Sequence, residues 1–171
     1  MDKARRGRIF LVGFMGSGKT SVGRLLAREL GFRFVDLDQQ IELKRGLAIH
    51  EIFEREGEPE FRRLEALALR ETGAMHDIVV ATGGGTLSRW ENRDFIQRHG
   101  ISVWLDAPLS TMLERCRDGD RRPLLSTPER MSALLEERLG SYRSADLHIL
   151  TAEREPGEVA RQIASRVGAI L

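Results

Sequence analysis

Residues 13–20 carry the strongest chemical signal in the sequence. They read Gly-Phe-Met-Gly-Ser-Gly-Lys-Thr and fit the pattern G-x-x-x-x-G-K-S/T. Glycines in such a loop let backbone N–H groups turn toward phosphate oxygens, and a following helix adds positive partial charge at its N-terminus. Lys19 supplies a cation for the β- and γ-phosphates, and the Thr20 hydroxyl can ligate Mg²⁺. The segment therefore predicts a phosphate-binding P-loop.

Other classes of nucleotide-binding protein fit the sequence less well. A Rossmann dinucleotide site would need a further Gly or Ala after Gly18, and Lys-Thr is foreign to that motif. The base-reading N-K-x-D motif of a GTPase switch is absent from the sequence. An ATPase motor needs a strand that ends in acids, whereas residues 82–86 read Thr-Gly-Gly-Gly-Thr. We therefore expect a kinase that acts on a small molecule.

The elements that must position this loop alternate between strands and helices. Short apolar runs predict strands at 8–13, 32–36, 77–82, 101–106 and 147–150. Helical spacing, glycine stops and capping residues predict helices at 19–30, 38–45, 48–56, 59–72, 88–99, 108–117, 127–142 and from 155 onward. The helix at 88–99 would open on a capping box, Ser88 to Glu91. The alternation predicts an α/β/α domain of three layers around a parallel sheet of five strands.

Chemically interesting residues cluster where the predicted strands end. Gly13, Asp36, the glycines at 83–85 and Asp106 all follow an apolar run directly. Right-handed crossovers put the carboxyl ends of parallel strands on one edge of the sheet, and ligands bind at that edge. We therefore expect these residues to converge in space.

Composition excludes several other classes of protein. A length of 171 residues suits one domain, and 27 basic against 26 acidic residues give a net charge of +1, which argues against a nucleic-acid partner. The basic residues comprise 24 arginines and only three lysines. Cys116 is the single cysteine, so neither an internal disulfide nor a multi-cysteine metal site is possible. No apolar run approaches the ~20 residues of a membrane span, and the N-terminus lacks the features of a signal peptide. We expect a cytoplasmic protein with no membrane partner.

Six motifs together resemble the shikimate kinase family, which belongs to the nucleoside-monophosphate-kinase-like P-loop proteins. They are GFMGSGKT (13–20), DLD (36–38), EFRRLE (60–65), TGGG (82–85), RPLL (122–125) and Arg138 four residues before Tyr142. The resemblance covers nearly the whole chain. It implies a single P-loop kinase domain over 1–171, with a helical substrate-binding segment at 37–73 and a lid at 115–127. We expect a monomer.

The resemblance also implies a reaction and a role for each motif residue. The family transfers the γ-phosphoryl group of ATP to the 3-hydroxyl of shikimate with the help of Mg²⁺. Shikimate would contact Arg62 and Arg138 through its carboxylate, and Gly84 and Asp38 elsewhere, with Asp38 as general base or orienter of the attacking hydroxyl. Thr20 and Asp36 would hold Mg²⁺, and Arg122 in the lid would reach the transferring group. The implied ATP contacts are Gly16, Ser17, Gly18, Lys19, Thr20, Ser21, Arg122 and Arg154.

Simpler interpretations of these residues stay open at the level of sequence. Asp38 directly precedes a predicted helix and could be its N-cap. Arg62 could belong to the solvated face of a charged helix, and Gly84 could serve only a tight turn. A gluconate-type kinase, or a relative that binds ATP without catalysis, would share the P-loop.

Overall fold

The computed structural model describes residues 7–117 and 127–170. Its centre is a sheet of five strands in the order β2-β3-β1-β4-β5, and every neighbouring pair is parallel. The strands are β1 (Arg8–Val12), β2 (Arg33–Asp36), β3 (Ile78–Ala81), β4 (Ile101–Asp106) and β5 (Leu147–Leu150). The prediction of a five-stranded parallel sheet is confirmed.

Seven helices of the described chain cover the two faces of the sheet. They are α1 (Lys19–Leu30), α2 (Leu37–Arg45), α3 (Ile49–Glu71), α4 (Trp90–His99), α5 (Leu109–Arg117), α6 (Pro128–Tyr142) and α7 (Pro156–Gly168). Side chains of a strand point alternately to the two faces of its sheet. In β1, Ile9 and Leu11 join a core with α1 and α7, and Phe10 and Val12 join a second core with helices α2 to α6. Both faces of the central strands are therefore buried, as the apolar runs predicted.

The long helix α3 contains the break that the sequence predicted between two helices. Gly57 has a φ of 83° and a ψ of 167°, which no residue in an α-helix adopts. Pro59 follows at the start of the second half, where a missing N–H costs nothing. The two halves meet at this kink without a connecting loop, so the region 49–71 forms one bent element.

The predicted capping box at the start of α4 is wrong. The helix begins at Trp90 after Arg89, and no side chain caps it. Ser88 instead closes a 3₁₀ turn, Thr86–Ser88, in which its N–H donates to the carbonyl of Gly85 at 3.0 Å. The chain turns tightly after β3, and this turn takes up the residues that the pattern assigned to the helix. By contrast, α6 has a side-chain cap, because the Thr127 hydroxyl accepts from the N–H of Arg130 at 3.3 Å.

Within residues 7–117 and 127–170, no helix combines the length and the apolar character that a membrane crossing requires.

Candidate active site

The segment 13–20 lies between the buried strand β1 and the start of α1. Gly16 and Gly18 have φ values of 72° and 94°, which side chains other than glycine rarely adopt. A Cβ on Gly16 would also lie 2.9 Å from the carbonyl oxygen of Met112 on α5. The loop therefore needs glycine for its curvature and for its close approach to α5. A glycine-rich loop that leads into the N-terminus of a helix is the kind of structure at which anions bind.

Lys19 is the first residue of α1 and reaches back over the loop. Its Nζ donates to the carbonyl oxygens of Gly13 and Phe14, at 2.8 Å in both cases. These bonds hold the ammonium group at the mouth of the loop, where phosphate oxygens would compete with the carbonyls as acceptors. Ser17 is buried inside the loop, and Ser21 is exposed on the first turn of α1.

Asp36 joins the phosphate loop to the helix that follows β2. Its Oδ2 accepts from the Thr20 hydroxyl at 2.8 Å, and its Oδ1 accepts from the N–H groups of Asp38 and Gln39 at 3.1 and 3.3 Å. Asp36 is thus the N-cap of α2, and the idea that Asp38 caps this helix is wrong. Asp38 lines the cleft, and the cap of α2 is supplied two residues earlier.

A cleft of about 590 Å³ opens above the carboxyl ends of the strands. Its walls come from the phosphate loop, the start of α2 and the turn after β3. They include Gly16, Gly18, Lys19, Thr20, Ser21, Asp36, Asp38, Gly83, Gly84 and Arg115. Asp36, Gly83 and Gly84 meet at this cleft, as the position of the strand ends predicted, and Lys19 and Asp38 line it with them. Gly13, Gly85 and Asp106 are not among its lining residues, and the Asp106 carboxylate instead lies 2.8 Å from Nε2 of His148.

Arg62 lies on the second half of α3 between two carboxylates. Nη1 donates to Glu65 at 2.9 Å, and Nε and Nη2 donate to Glu58 at 3.2 Å. Burial alone would lower the pKa of Arg62, but the carboxylates of Glu65 and Glu58 raise it above its usual value. Only 17% of this side chain is exposed, so Arg62 does not belong to a solvated helix face.

The turn after β3 fits closely around the Arg62 guanidinium. A Cβ on Gly85 would lie 2.5 Å from both Nη atoms of Arg62. Glu65 is fully buried, and its Oε1 accepts from the Thr86 hydroxyl at 2.6 Å. A Cβ on Gly83 would collide with the same Oε1. Gly83 and Gly85 therefore leave the space that the Arg62–Glu65 pair occupies.

Arg138 and Tyr142, one turn apart on α6, contact the middle glycine of the same turn. The Tyr142 hydroxyl donates to the Gly84 carbonyl at 2.5 Å, and the Arg138 guanidinium lies close enough to influence that hydroxyl electrostatically. A Cβ on Gly84 would lie 3.5 Å from Nη1 of Arg138. Burial raises the pKa of Tyr142 to about 12, although the charge of Arg138 opposes this shift. Arg62 and Arg138 thus approach the Gly83–Gly85 turn from different helices.

Arg154 lies away from the cleft, at a second groove of about 180 Å³ behind the phosphate loop. Its Nη1 donates to Gln162 at 2.6 Å and to the carbonyl of Leu150 at 3.3 Å. Ser17, Gly18, Arg115 and Pro156 also line this groove. Arg122 and most of the predicted lid fall outside the described residues.

The sequence alone did not indicate a role for two residues that contribute to this geometry. Thr86 anchors the buried Glu65, and Tyr142 anchors Gly84. No local pattern indicates Thr86, because its partner lies 21 residues away on another element. Tyr142 is part of the motif that contains Arg138, and the spacing of four residues between them predicts that both lie on one face of a helix.

Known proteins resemble this chain over almost its whole length. A family model described as shikimate kinase matches residues 15–168. The chain belongs to the shikimate kinase family. Shikimate kinases from Persephonella marina and Geobacter sulfurreducens are 44% and 46% identical to it, over 93% of this chain and 98% and 90% of theirs. The structure of shikimate kinase from Acinetobacter baumannii in complex with shikimate superposes with a TM-score of 0.92 at 38% identity, covering 97% of this chain and 95% of that one.

Membership in the shikimate kinase family confirms the resemblance that the six motifs carried. The chain is a small-molecule kinase with a P-loop fold, and the shikimate kinase interpretation is favoured over the gluconate-type alternative.

Proposed function

We propose that this chain transfers the γ-phosphoryl group of ATP to the 3-hydroxyl of shikimate and releases shikimate 3-phosphate and ADP. The observation that carries the proposal is the position of Arg62 and Arg138 on two sides of the Gly83–Gly85 turn, which shares a cleft with Lys19 and Asp38. This reaction would serve the synthesis of chorismate and the aromatic amino acids in the cytoplasm.

Recognition of the acceptor would rest on its carboxylate. A planar guanidinium offers paired donors that match a carboxylate, which a lysine cannot reproduce. Arg62 is held by Glu65 and Glu58, so its guanidinium is oriented before the acceptor arrives, and Arg138 lies beside the Tyr142 hydroxyl. The backbone of Gly84 would contact the ring. The relative from Acinetobacter baumannii was solved with shikimate bound, which supports this choice of acceptor.

Asp38 would act on the hydroxyl that attacks the phosphorus. Its carboxylate lines the cleft beside Gly83 and is not consumed by capping α2. It would orient the 3-hydroxyl of shikimate and accept its proton as the new P–O bond forms. Phosphoryl transfer passes through a loose transition state, so orientation and neutralisation of charge contribute more than strong base catalysis. Lys19 and the backbone of the phosphate loop would hold the β- and γ-phosphates.

Magnesium fits the pair formed by Thr20 and Asp36. A hydroxyl and a carboxylate oxygen already meet there at 2.8 Å, and both are hard oxygen ligands of the kind that Mg²⁺ prefers. In the described part of the chain, no cluster of three or more His, Cys, Asp or Glu could hold a metal ion. The phosphates of ATP would therefore supply further ligands, and the ion would offset negative charge during transfer. Arg122 and the lid at 115–127 would close over the phosphates.

The proposal is tested by coupled measurement of ADP release with Mg-ATP and four conditions: shikimate, quinate, gluconate and no acceptor. We expect turnover that depends on shikimate, with little ADP released in the blank. Turnover on gluconate but not on shikimate would overturn the choice of acceptor. ATP binding without turnover on any of them would favour a non-catalytic relative.

The role of Asp38 is tested with Asp38→Asn in the same assay. The amide keeps the size of the side chain but removes the charge that accepts the proton. We expect kcat to fall by about 10²- to 10⁴-fold, which is the range of general-base effects. ATP affinity should stay within about twofold of the parent, because Asp38 would touch only the acceptor. An unchanged kcat would remove the base from the mechanism.

A further inference from the structure

Tyr142 is a buried polar group that lies against two of the proposed acceptor contacts at once. Its hydroxyl donates to the Gly84 carbonyl at 2.5 Å and interacts with the Arg138 guanidinium. The hydroxyl proton is thus committed to the Gly84 carbonyl, and the charge of Arg138 acts on the hydroxyl oxygen. The side chain is 1% exposed, so water does not replace either partner.

The aromatic ring of Tyr142 is itself held by the sheet. It packs against Trp104 of β4, with ring centroids 6.0 Å apart, and Trp104 in turn lies beside His148 at 4.1 Å. Trp104 also reaches the phosphate loop, because its Cδ1 would lie 3.5 Å from a Cβ on Gly13. The hydroxyl therefore extends from a fixed stack of rings, and its position follows the rigid core of the protein.

A carbonyl held at this point decides where the rest of the turn points. Two peptide planes meet at Gly84. Because glycine has no side chain, its backbone dihedral angles alone would leave these planes free to rotate. A Cβ on Gly84 would approach the Met15 backbone N at 3.3 Å and Arg138 at 3.5 Å, so the turn lies between the phosphate loop and α6. Fixing the carbonyl fixes the backbone surface that the acceptor would meet.

We propose that Tyr142 is a positioning residue for the acceptor: its hydroxyl orients the Gly84 backbone and the Arg138 guanidinium together and thereby sets the affinity for shikimate. The inference rests on the proposed function, because it requires shikimate as the acceptor. Tyr142 itself would touch neither substrate. The hydroxyl keeps its proton throughout the neutral and mildly alkaline range, since burial raises the pKa of Tyr142, so the device would not titrate during catalysis.

The test compares Tyr142→Phe with Thr72→Val by calorimetric titration of shikimate and of ADP. Both substitutions remove a buried hydroxyl that donates to a backbone carbonyl. Thr72 donates to the carbonyl of Leu69 at 2.6 Å and lies before β3, at the amino ends of the strands and away from the cleft. We expect Tyr142→Phe to raise the Kd for shikimate about tenfold, because a buried acceptor loses its donor, and to leave the Kd for ADP within about twofold. Thr72→Val should change neither.

Outcomes for the two proposals are separable. If the parent protein fails to bind shikimate, the proposed function fails whatever the variants do. If the parent binds shikimate and Tyr142→Phe binds it equally well, or loses shikimate and ADP affinity to the same extent, the positioning inference is overturned alone.

A measurement on the parent chain covers the case in which Tyr142→Phe does not fold. Tyr142 is the single tyrosine of the sequence, so fluorotyrosine labelling gives one fluorine NMR resonance. We expect shikimate to shift that resonance more than ADP does. The absence of a shift at saturating shikimate would overturn the inference.

Discussion

The two sides of the cleft are built in different ways. The nucleotide side comes from one continuous stretch, residues 13–20, whose chemistry lies in backbone groups, Lys19 and Thr20. The acceptor side comes from α3, the turn after β3 and α6, and its parts are joined by side chains across 21 to 58 residues of sequence. One side is a local conformation, and the other is an assembly of distant elements.

This difference predicts how each side responds to change. A defect on the nucleotide side weakens phosphate binding in the transition state and should affect every acceptor alike. A defect on the acceptor side leaves the phosphates in place and should affect only the molecule whose carboxylate Arg62 and Arg138 would hold. The substitutions below separate the two sides by which substrate parameter they change.

Lys19→Met should have the largest effect and should not discriminate between acceptors. It removes the ammonium group at the mouth of the phosphate loop, and loss of one such preorganised donor costs about 10²- to 10³-fold in kcat. Steady-state turnover with saturating shikimate measures this loss. Lys44→Met is the matched control, because Lys44 lies half exposed on α2 and pairs with Glu71. Full activity of Lys19→Met would discredit the phosphate-binding role of the loop.

Arg62→Lys should break the acceptor side alone. A lysine keeps the charge but not the planar pair of donors, and a charge-assisted hydrogen bond contributes about 1.5–3 kcal/mol, so KM for shikimate should rise about 10- to 100-fold. KM for ATP should stay unchanged. Arg63→Lys is the control, because Arg63 is the next residue of α3 and pairs with Glu60 at the surface. An equal loss toward an acceptor that lacks the carboxylate would contradict the clamp.

The conformation of the loop at 13–20 could be predicted from the sequence because its determinants are local. Gly16, Gly18 and Lys19 act through backbone conformation and a helix N-terminus, and both follow from a pattern of eight residues between a strand and a helix. The order of strands and helices along the chain could also be predicted from the sequence, since apolar runs mark the strands and glycines mark the helix ends.

The acceptor side could be predicted only in part. Resemblance to a family supplied Arg62, Gly84 and Arg138, but the partners that hold them depend on which distant elements meet. Thr86 lies against Glu65 only because the turn after β3 packs on α3, and no local pattern contains that contact. The suggestion that Asp38 caps α2 is wrong for a related reason: Asp36 and Asp38 are equally suited in type, and only the hydrogen bonds of the folded chain show that Asp36 is the cap.

Gly85→Ala should disturb the acceptor side by crowding rather than by loss of charge. The new Cβ would lie 2.5 Å from the Nη atoms of Arg62, so the guanidinium must move. Mild overpacking costs about 1 kcal/mol, and we expect KM for shikimate to rise about fivefold while KM for ATP is unchanged. Gly140→Ala on α6 is the control, because a Cβ there meets no atom within 4 Å. A normal KM in Gly85→Ala would show that Arg62 tolerates displacement.

Titration of Tyr142 should give the smallest effect at working pH and a clear one in strong alkali. Burial raises its pKa to about 12, above the ordinary value of 10.0. Because the pKa is higher in the folded state, the contribution of Tyr142 to the free energy of unfolding is fully present below pH about 10 and is lost as the pH rises through about 12. A difference of two pKa units corresponds to about 2–3 kcal/mol of that free energy. Because the chain has one tyrosine, tyrosinate absorbance follows this group alone, and the signal should appear near pH 10 only in denaturant. Tyr142→Phe should lack this alkaline loss of stability. Ionisation near pH 10 in the folded protein would instead mean that water reaches the Tyr142 hydroxyl on the acceptor side.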